Sequence, residues 1–238
     1  MRVRRPRRVN ASGGLTGPIA CNKICGDLWT PCPSAATRAP SVTDLHVIAL
    51  GANAPGGLAA NLRRVARAGR ALPGRVVVMS RPWRSPAWPP GRGQPDFVNA
   101  VALVRAPMPP AAMLARLHRM EARAGRERAA RWAVRPLDLD LIAVGRLVRP
   151  GAGAVRRWMA LAPAEQAERT PRALLLPHPR LHDRAFVLGP LLDVAPGWRH
   201  PLTGRTARAM LAGLPLAARL GTRPLAPGPA LVKRRPGA

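Results

Sequence analysis

The sequence contains no tyrosine and few lysines, acidic residues or cysteines. Its 39 basic residues include only two lysines, and they outnumber 11 acidic residues. A net charge of +28 is typical of proteins that bind nucleic acid. Because nearly all of this charge is arginine, spread along a chain that also holds 29 prolines, we attribute it to a bias in coding composition and expect no specific nucleic-acid partner.

Other absences exclude further classes of protein. No apolar run reaches the ~18 residues of a membrane-spanning helix. No apolar stretch follows the basic start, so we expect neither a membrane partner nor a secretory signal, and a cytoplasmic location. Cys21, Cys25 and Cys32 have no fourth ligand nearby, which favours free thiols over a metal site. The GxxxxGK[ST] motif of P-loop enzymes is absent.

Composition divides the chain into three parts. Residues 1–42 mix Arg, Pro, Gly and Ser without periodicity, which predicts a disordered basic extension. Residues 43–214 hold the periodic segments and predict one domain. Residues 215–238 are again rich in Arg, Pro and Ala and predict a basic tail.

Apolar periodicity in the central part predicts the order strand, helix, strand, strand, helix, strand. This is the order of an α+β, ferredoxin-like βαββαβ sandwich. In such a sandwich the sheet is antiparallel, the helices cover one face, and the other face carries the site. The predicted segments are residues 45–50, 58–72, 76–79, 97–104, 110–124 and 137–144.

Two acidic residues stand close together in the last of these strands. With the period of two of a β-strand, Asp138 and Asp140 face one side of the sheet, and Leu137, Leu139 and Leu141 face the other. Neighbouring carboxylates repel each other unless a cation neutralises them. The cation is either an arginine or a divalent metal ion such as the Mg²⁺ that accompanies a nucleotide phosphate, and the pattern leaves both open.

Residues suited to phosphate and to a planar ring lie near the aspartates in sequence. Arginines precede the acidic strand, Asn99 shares a strand face with Phe97, and a histidine stands between two prolines. The arginines would neutralise phosphate charge, and an amide beside an aromatic ring suits the edge of a heterocycle. These candidates are Arg126, Arg128, Arg131, Arg135, Arg184, His178, Trp132, Phe97, Phe186 and Asn99.

Four segments together resemble the 6-hydroxymethyl-7,8-dihydropterin pyrophosphokinase family of folate biosynthesis. The resemblance covers about residues 45–214, and its most specific parts are R-W-x-x-R-P-x-D-L-D and L-P-H-P-R. It implies a ferredoxin-like fold and transfer of pyrophosphate from ATP to the pterin hydroxymethyl oxygen, with release of AMP. The segments are Ile48–Asn53, Gln94–Ala100, Gly125–Asp140 and Leu176–Phe186.

The resemblance also implies roles for individual residues. The catalytic set would be Arg126, Arg128, Asp138 and Asp140, in which the two aspartates bind two Mg²⁺ ions. ATP would contact Arg128, Trp132, Arg135, His178 and Arg184. The pterin would contact Ser85, Pro86, Ala87, Phe97, Asn99, Trp132 and Phe186. A general base is left open between Asp138 and a metal-bound water, and we expect a monomer.

The chain departs from the family's pattern at several positions, none of which removes a metal ligand. Ala52 replaces a serine in the first turn, and Ala133 replaces the glycine after Trp132. His118 stands where a glutamine that contacts ATP is common, and Trp88 stands where a smaller aliphatic residue is usual. About residues 149–172 are an insertion relative to the shortest members of the family. These differences affect the expected nucleotide contacts and loop closure rather than the reaction class.

Two other functions fit parts of the pattern less well. A nucleotidyltransferase also carries D-x-D on a strand, but a Gly-Ser turn before it and a third acid on a neighbouring strand are missing from the sequence. A basic RNA-binding module gives no role to two adjacent aspartates, which would repel phosphate.

Overall fold

The computed structural model of the protein describes residues 45–87, 93–126 and 134–225. All of these residues belong to one compact unit. The predicted N-terminal extension and the cysteines lie outside the described residues, as do Trp88, Arg128, Arg131, Trp132 and Ala133. Among the helices described, none has the length and apolar character needed to cross a membrane.

Helices alternate with strands along the first part of the chain, and the last part is mainly helical. The first part consists of β1 (Leu45–Ala52), α1 (Gly57–Ala71), β2 (Arg75–Met79), β3 (Trp83–Ser85), β4 (Phe97–Arg105), α2 (Pro110–Arg123) and β5 (Asp138–Val144). The last part consists of α3 (Ala152–Ala160), α4 (Pro163–Glu168), a 3-10 turn (Leu181–Asp183), α5 (Ala185–Val194), α6 (Ala207–Ala212), α7 (Leu216–Gly221) and β6 (Arg223–Pro224).

The strands form one sheet in the order β5-β1-β4-β3-β6, in which the pairings are antiparallel. β2 also pairs with β4, next to residues 102–105, whereas β3 pairs with residues 97–99. β2 and β3 thus share the place of the first of the two strands that the sequence predicted between the helices. The predicted combination of helices with an antiparallel sheet is confirmed.

The main core lies between one face of the sheet and the helices α1 and α2. Alternate residues of the strands enter it, as the period of two requires. On β5 these are Leu139 and Leu141, so Asp138 and Asp140 project from the opposite face. Burial of one large aliphatic side chain contributes roughly 1.5–3 kcal/mol. Further members are Ile48, Leu50, Val65, Ala68, Ala100, Ala102, Met113 and Leu117.

α1 ends where the sequence predicts, before Pro73 and Gly74. Gly74 has φ of 111°, and a β-carbon on it would lie 2.7 Å from the carbonyl oxygen of Arg105. Only glycine fits this turn, because other residues would meet both the backbone strain of a positive φ and a steric clash. The turn directs the chain into β2 beside the end of β4.

α5 contacts β3 and β4 on the sheet face that carries the aspartates. Gly189 of this helix lies against the ring of Trp83, where a β-carbon would be only 2.8 Å from a ring atom. The indole Nε1 donates a hydrogen bond of 2.8 Å to Asp193, and Arg81 Nε donates one of 3.1 Å to the same oxygen. These contacts fix β3 against α5.

Two segments are more regular than the composition indicates. Trp83–Ser85, which lies outside the segments predicted from periodicity, forms β3. Residues 216–224, which lie in the predicted basic tail, form α7 and β6. Both strands are too short to show periodicity, and they exist because they pair with each other and, for β3, with β4. The domain boundaries as a whole stay a prediction.

His200 makes the stability of the fold depend on pH. Burial and the neighbouring His182 lower the pKa of this imidazole from 6.5 to about 4. The unfolded chain therefore binds more protons between these values, and stability falls as the pH drops from about 6.5 to about 4. We expect this residue to account for a loss of up to about 3 kcal/mol, measured by urea unfolding across that range.

The matched variant is His200→Asn. Its side-chain oxygen keeps an acceptor for the backbone N–H of Leu202, which now donates to Nδ1 at 3.2 Å, but it does not titrate. The wild type and the variant should differ in the slope of stability against pH between 4 and 6.5. Parallel curves over this range would contradict the assignment.

Candidate active site

The site is organised around Gly51, at the C-terminal end of the central strand β1. Gly51 stands opposite Asn99 of β4 on one side and Asp138 of β5 on the other. A β-carbon on Gly51 would lie 3.5 Å from Asn99 Oδ1, 3.6 Å from Phe97 Cδ1 and 3.7 Å from Asp138 Cβ. Because Gly51 has no side chain, a small open space remains between an aromatic ring, an amide and a carboxylate. We call this space the floor at Gly51.

Both aspartates are paired with arginines. Asp138 Oδ2 accepts a hydrogen bond of 2.6 Å from Arg135 Nη1, and Asp140 Oδ2 accepts one of 3.3 Å from Arg184 Nη1. Arg126 Nη1 forms an ion pair of 2.6 Å with Asp138 Oδ1, an atom that is buried. Of the two kinds of cation that the sequence left open, arginine is thus present beside both aspartates.

The guanidinium of Arg135 is strongly tied to this cluster. Burial lowers its pKa, but Asp138, through its charge and its hydrogen bond, and the more distant carboxylates outweigh that effect and raise the pKa above its ordinary value. Arg135 therefore stays charged at any physiological pH. It provides a fixed positive charge beside the aspartates.

Glu121 of α2 contacts the strand β5 that carries the aspartates. The sequence analysis did not identify it as a site residue. Its carboxylate is 1% exposed. Oε1 accepts a hydrogen bond of 2.7 Å from the backbone N–H of Leu139, between the two aspartates, and pairs with Arg126. Burial raises its pKa, although the Leu139 N–H and Arg126 counteract this. The signal was an acidic residue within the apolar stripe of a helix.

Asn53 is a second residue whose role the sequence analysis did not assign. Its side chain is fully buried, its Oδ1 accepts a hydrogen bond of 2.7 Å from the backbone N–H of Arg135, and its Nδ2 donates one of 3.4 Å to the carbonyl oxygen of Pro95. Its own N–H donates to the Arg135 carbonyl at 3.0 Å. Asn53 thus ties the segment before β5 to the segment before β4.

His178 is held beside β5 by its backbone. Its N–H donates to the carbonyl oxygen of Ile142 at 2.7 Å, and its Nδ1 accepts a hydrogen bond of 3.1 Å from the N–H of Arg180. Burial, followed by the charges of Arg184 and Arg180, lowers the pKa of the imidazole well below its usual value. At neutral pH the ring is neutral, and because Nδ1 accepts, its proton lies on Nε2.

The described residues among those predicted to bind the pterin lie on β3 or directly after it, on β4 and at the start of α5. Asn99 Nδ2 donates a hydrogen bond of 2.9 Å to Ser85 Oγ, and Ser85 stands opposite Phe97 in the sheet. The guanidinium carbon of Arg184 lies 5.6 Å from the ring centre of Phe186. Arg184 therefore contacts both Asp140 and an aromatic ring, which links the acidic and the aromatic parts of the site.

The donor atoms suit a magnesium ion that also binds phosphate. No group of three or more His, Cys, Asp and Glu side chains that would hold a metal occurs in the described part of the chain. Mg²⁺ is commonly held by one or two carboxylates together with substrate phosphates and water. Asp138 and Asp140, two carboxylates on one strand face, fit that mode rather than an all-protein site.

A cavity of about 570 Å³ lies away from the aspartates, along the predicted insertion. It is lined by Pro150, Ala154, Trp158, Arg169, Thr170, Pro171, Arg172, Ala173 and Leu175. We place the site at the aspartates instead, because the carboxylates, the amide and the half-buried imidazole described above lie there, whereas this cavity has a mostly apolar wall with arginines.

A family model for 7,8-dihydro-6-hydroxymethylpterin-pyrophosphokinase matches residues 47–196. A 2-amino-4-hydroxy-6-hydroxymethyldihydropteridine pyrophosphokinase of Synechocystis is 36% identical over 49% of this chain and 49% of that protein. The protein of the same name from Mycobacterium tuberculosis is 34% identical over 71% of this chain and 77% of its own length.

A solved structure of Plasmodium falciparum HPPK-DHPS aligns with 71% of this chain and 43% of that chain, at 13% identity and a TM-score of 0.48. The chain spans between 49% and 62% of the length of the first three curated relatives that it matches.

Proposed function

The chain belongs to the 7,8-dihydro-6-hydroxymethylpterin-pyrophosphokinase family, and we propose that it transfers the pyrophosphoryl group of ATP to 6-hydroxymethyl-7,8-dihydropterin. The products are the pterin diphosphate and AMP, and the reaction belongs to folate biosynthesis. The observation that supports this most is the alignment of Asn99, Gly51 and Asp138 across three strands. It brings the residues proposed to bind the pterin ring close to the aspartates.

The fold proposed for this activity is the ferredoxin-like sandwich. The order β5-β1-β4, with β2 and β3 on the outer side of β4, supports it, as do α1 and α2 in the core on one face. α5 is an addition, because it packs on the face that carries the proposed site. A location in the cytoplasm and a monomeric state stay predictions.

Phosphate binding is assigned to the arginines around the aspartates. Arg126, Arg135 and Arg184 now neutralise Asp138 and Asp140 at 2.6 to 3.3 Å. Phosphoryl transfer needs positive charge on the transferred group and little covalent chemistry from the protein. We propose that these guanidinium groups would turn towards the ATP phosphates, and that Asp138 and Asp140 would hold two Mg²⁺ ions, which would supply further positive charge there. Arg128 is proposed for the same role from its motif position.

The neutral imidazole of His178 suits a hydrogen bond to the nucleotide. Its Nδ1 is occupied by the N–H of Arg180, so Nε2–H is the group left to donate. A phosphate or ribose oxygen is the expected acceptor. The lowered pKa keeps the ring neutral, so this contact should not change with pH above the ordinary pKa of histidine.

Pterin recognition is assigned to the floor at Gly51 and its surroundings. Asn99 is 4% exposed, and its Oδ1 is directed towards Gly51 while its Nδ2 is held by Ser85. The amide is therefore fixed in orientation, which is what selective recognition of a heterocycle edge requires. Phe97 and Phe186 are proposed to flank the ring, with Pro86, Ala87 and Trp132 at its border.

Rate enhancement in this proposal comes from position and charge. The pterin hydroxyl has to lie in line with the bond that breaks between the β-phosphorus and the oxygen of AMP. Asn53 holds the segment before the aspartates through Arg135, and Glu121 holds the strand between them through Leu139. Such support keeps the carboxylates in place as the arginines move.

A direct assay tests this function. Purified protein is incubated with ATP, Mg²⁺ and 6-hydroxymethyl-7,8-dihydropterin, and the products are separated by chromatography. We expect AMP and pterin diphosphate in equal amounts. ADP would indicate transfer of a single phosphoryl group, inorganic pyrophosphate would indicate a nucleotidyltransferase, and either result, or no turnover, would overturn the proposal.

A further inference from the structure

The C-terminal segment Gly221–Leu225 lies beyond the region that the family model matches, which ends at residue 196. The segment includes β6, which pairs with β3 and forms the outermost strand of the sheet on that side. In its register Arg223 stands opposite Arg84 and Pro224 opposite Trp83. We infer that this segment positions the substrate-binding strand β3 and thereby sets the affinity for the pterin. The inference rests on the proposed function.

The contacts of the segment with β3 are specific. The N–H of Leu225 donates a hydrogen bond of 2.9 Å to the carbonyl oxygen of Pro82, directly before β3. The half-buried side chain of Leu225 packs against the main core. At the other end, a β-carbon on Gly221 would lie 3.5 Å from two ring atoms of Pro86, directly after β3. The segment thus holds the strand at both of its ends.

β3 has few other means of keeping its position. It contains three residues and pairs with β4 only through residues 97–99. So short a strand depends on its neighbours, because each residue contributes only about one backbone hydrogen bond. Trp83 also contacts Gly189 and Asp193 of α5, and Arg84 forms an ion pair with Asp96, but none of these contacts involves Ser85. The segment Gly221–Leu225 supplies the second neighbour.

A shift of β3 would reach the proposed pterin site through Ser85. Ser85 Oγ accepts the hydrogen bond that orients the amide of Asn99, and both side chains are almost fully buried. Pro86, which the segment contacts, is one of the residues predicted to line the ring. The aspartates and Arg184 lie on other elements, β5 and the start of α5. A loosened β3 should therefore affect the pterin and leave ATP binding unchanged.

Two variants of Leu225 in the full chain separate position from stability. Leu225→Pro removes the N–H that donates to Pro82 and is compatible with extended backbone. Leu225→Ala keeps this N–H and loses only the packing of the side chain, so it serves as the matched control. We expect both variants to be less stable in urea unfolding, because both trim a side chain that packs against the core.

The KM values for the pterin and for ATP distinguish the two variants of Leu225. Leu225→Pro should raise the KM for the pterin roughly ten-fold, the effect of about one lost hydrogen bond, with kcat and the KM for ATP within about two-fold of the wild type. Leu225→Ala should keep the KM for the pterin close to the wild-type value. Equal pterin KM values in the two variants, or equal effects on the pterin and ATP, would overturn the inference.

Hydrogen–deuterium exchange tests, without any assay of activity, whether the segment Gly221–Leu225 holds β3 in position. Amides of residues 83–85 should exchange roughly ten-fold faster in Leu225→Pro than in Leu225→Ala. Equal exchange would overturn the inference even if the enzyme is active. A wild type that does not turn over the pterin would instead overturn the proposed function, so the two failures are distinguishable.

Discussion

Replacing Asp140 by asparagine is expected to lower kcat by roughly a thousand-fold, the order of magnitude seen when one electrostatic contact to a transition state is removed. The substitution keeps the shape of the side chain and removes the charge that would bind Mg²⁺ beside the ATP phosphates. It also removes the partner of Arg184, which now lies 3.3 Å away. Turnover measured with saturating ATP, Mg²⁺ and pterin checks this result.

The fold should survive this change. The side chain of Asp140 is 36% exposed, and pairs at this exposure contribute at most about 1 kcal/mol. Glu165→Gln is the matched control, because Glu165 is 46% exposed, pairs with Arg169 at 3.4 Å and lies in the predicted insertion. The control should retain wild-type turnover. Loss of turnover in both variants, or unfolding of Asp140→Asn, would favour a structural role for the carboxylate.

Replacing Gly51 by valine is expected to lower kcat/KM for the pterin by at least about a hundred-fold. The β-carbon alone would fit, at 3.5 to 3.7 Å from Asn99, Phe97 and Asp138. The two methyl groups of valine would extend further into the floor between these side chains, and overpacking of this kind typically costs 1–3 kcal/mol in stability. The ring and the aspartate would both be displaced from their positions.

Gly51→Ala provides the graded comparison. Alanine adds only the β-carbon in ordinary van der Waals contact, so its kcat/KM should fall between those of the wild type and the valine variant. Direct binding of the pterin, measured by calorimetry, should weaken in the same order. A valine variant that remains folded and binds the pterin like the wild type would show that the floor at Gly51 is not the substrate site.

Some features of the site depend only on local chain geometry, and these were readable from the sequence. The period of two along β5 places Asp138 and Asp140 on one face and Leu139 and Leu141 in the core, as the structure shows. Apolar spacing and the Pro-Gly stop likewise predicted α1. The roles of the phosphate and pterin residues came from the resemblance to a family, and they stay predictions.

Other features depend on which distant segments meet, and local patterns carry little information about this. Asn53 and Arg135 are 82 residues apart, yet the buried amide joins them. Glu121 is an acidic residue within the apolar stripe of a helix, and only the structure shows that it accepts a hydrogen bond from the N–H of Leu139. β3 and β6, with three and two residues, show no period of their own and are strands only because they pair.

By itself, the sequence determined that two carboxylates share a strand face, because side-chain alternation is a property of the strand backbone alone. The tertiary structure decided what surrounds them. The register of β4, β1 and β5 aligns Asn99, Gly51 and Asp138 in one row, and this register results from the packing of whole strands and helices. A change of one residue in that register would direct Asn99 and Asp138 to opposite faces of the sheet.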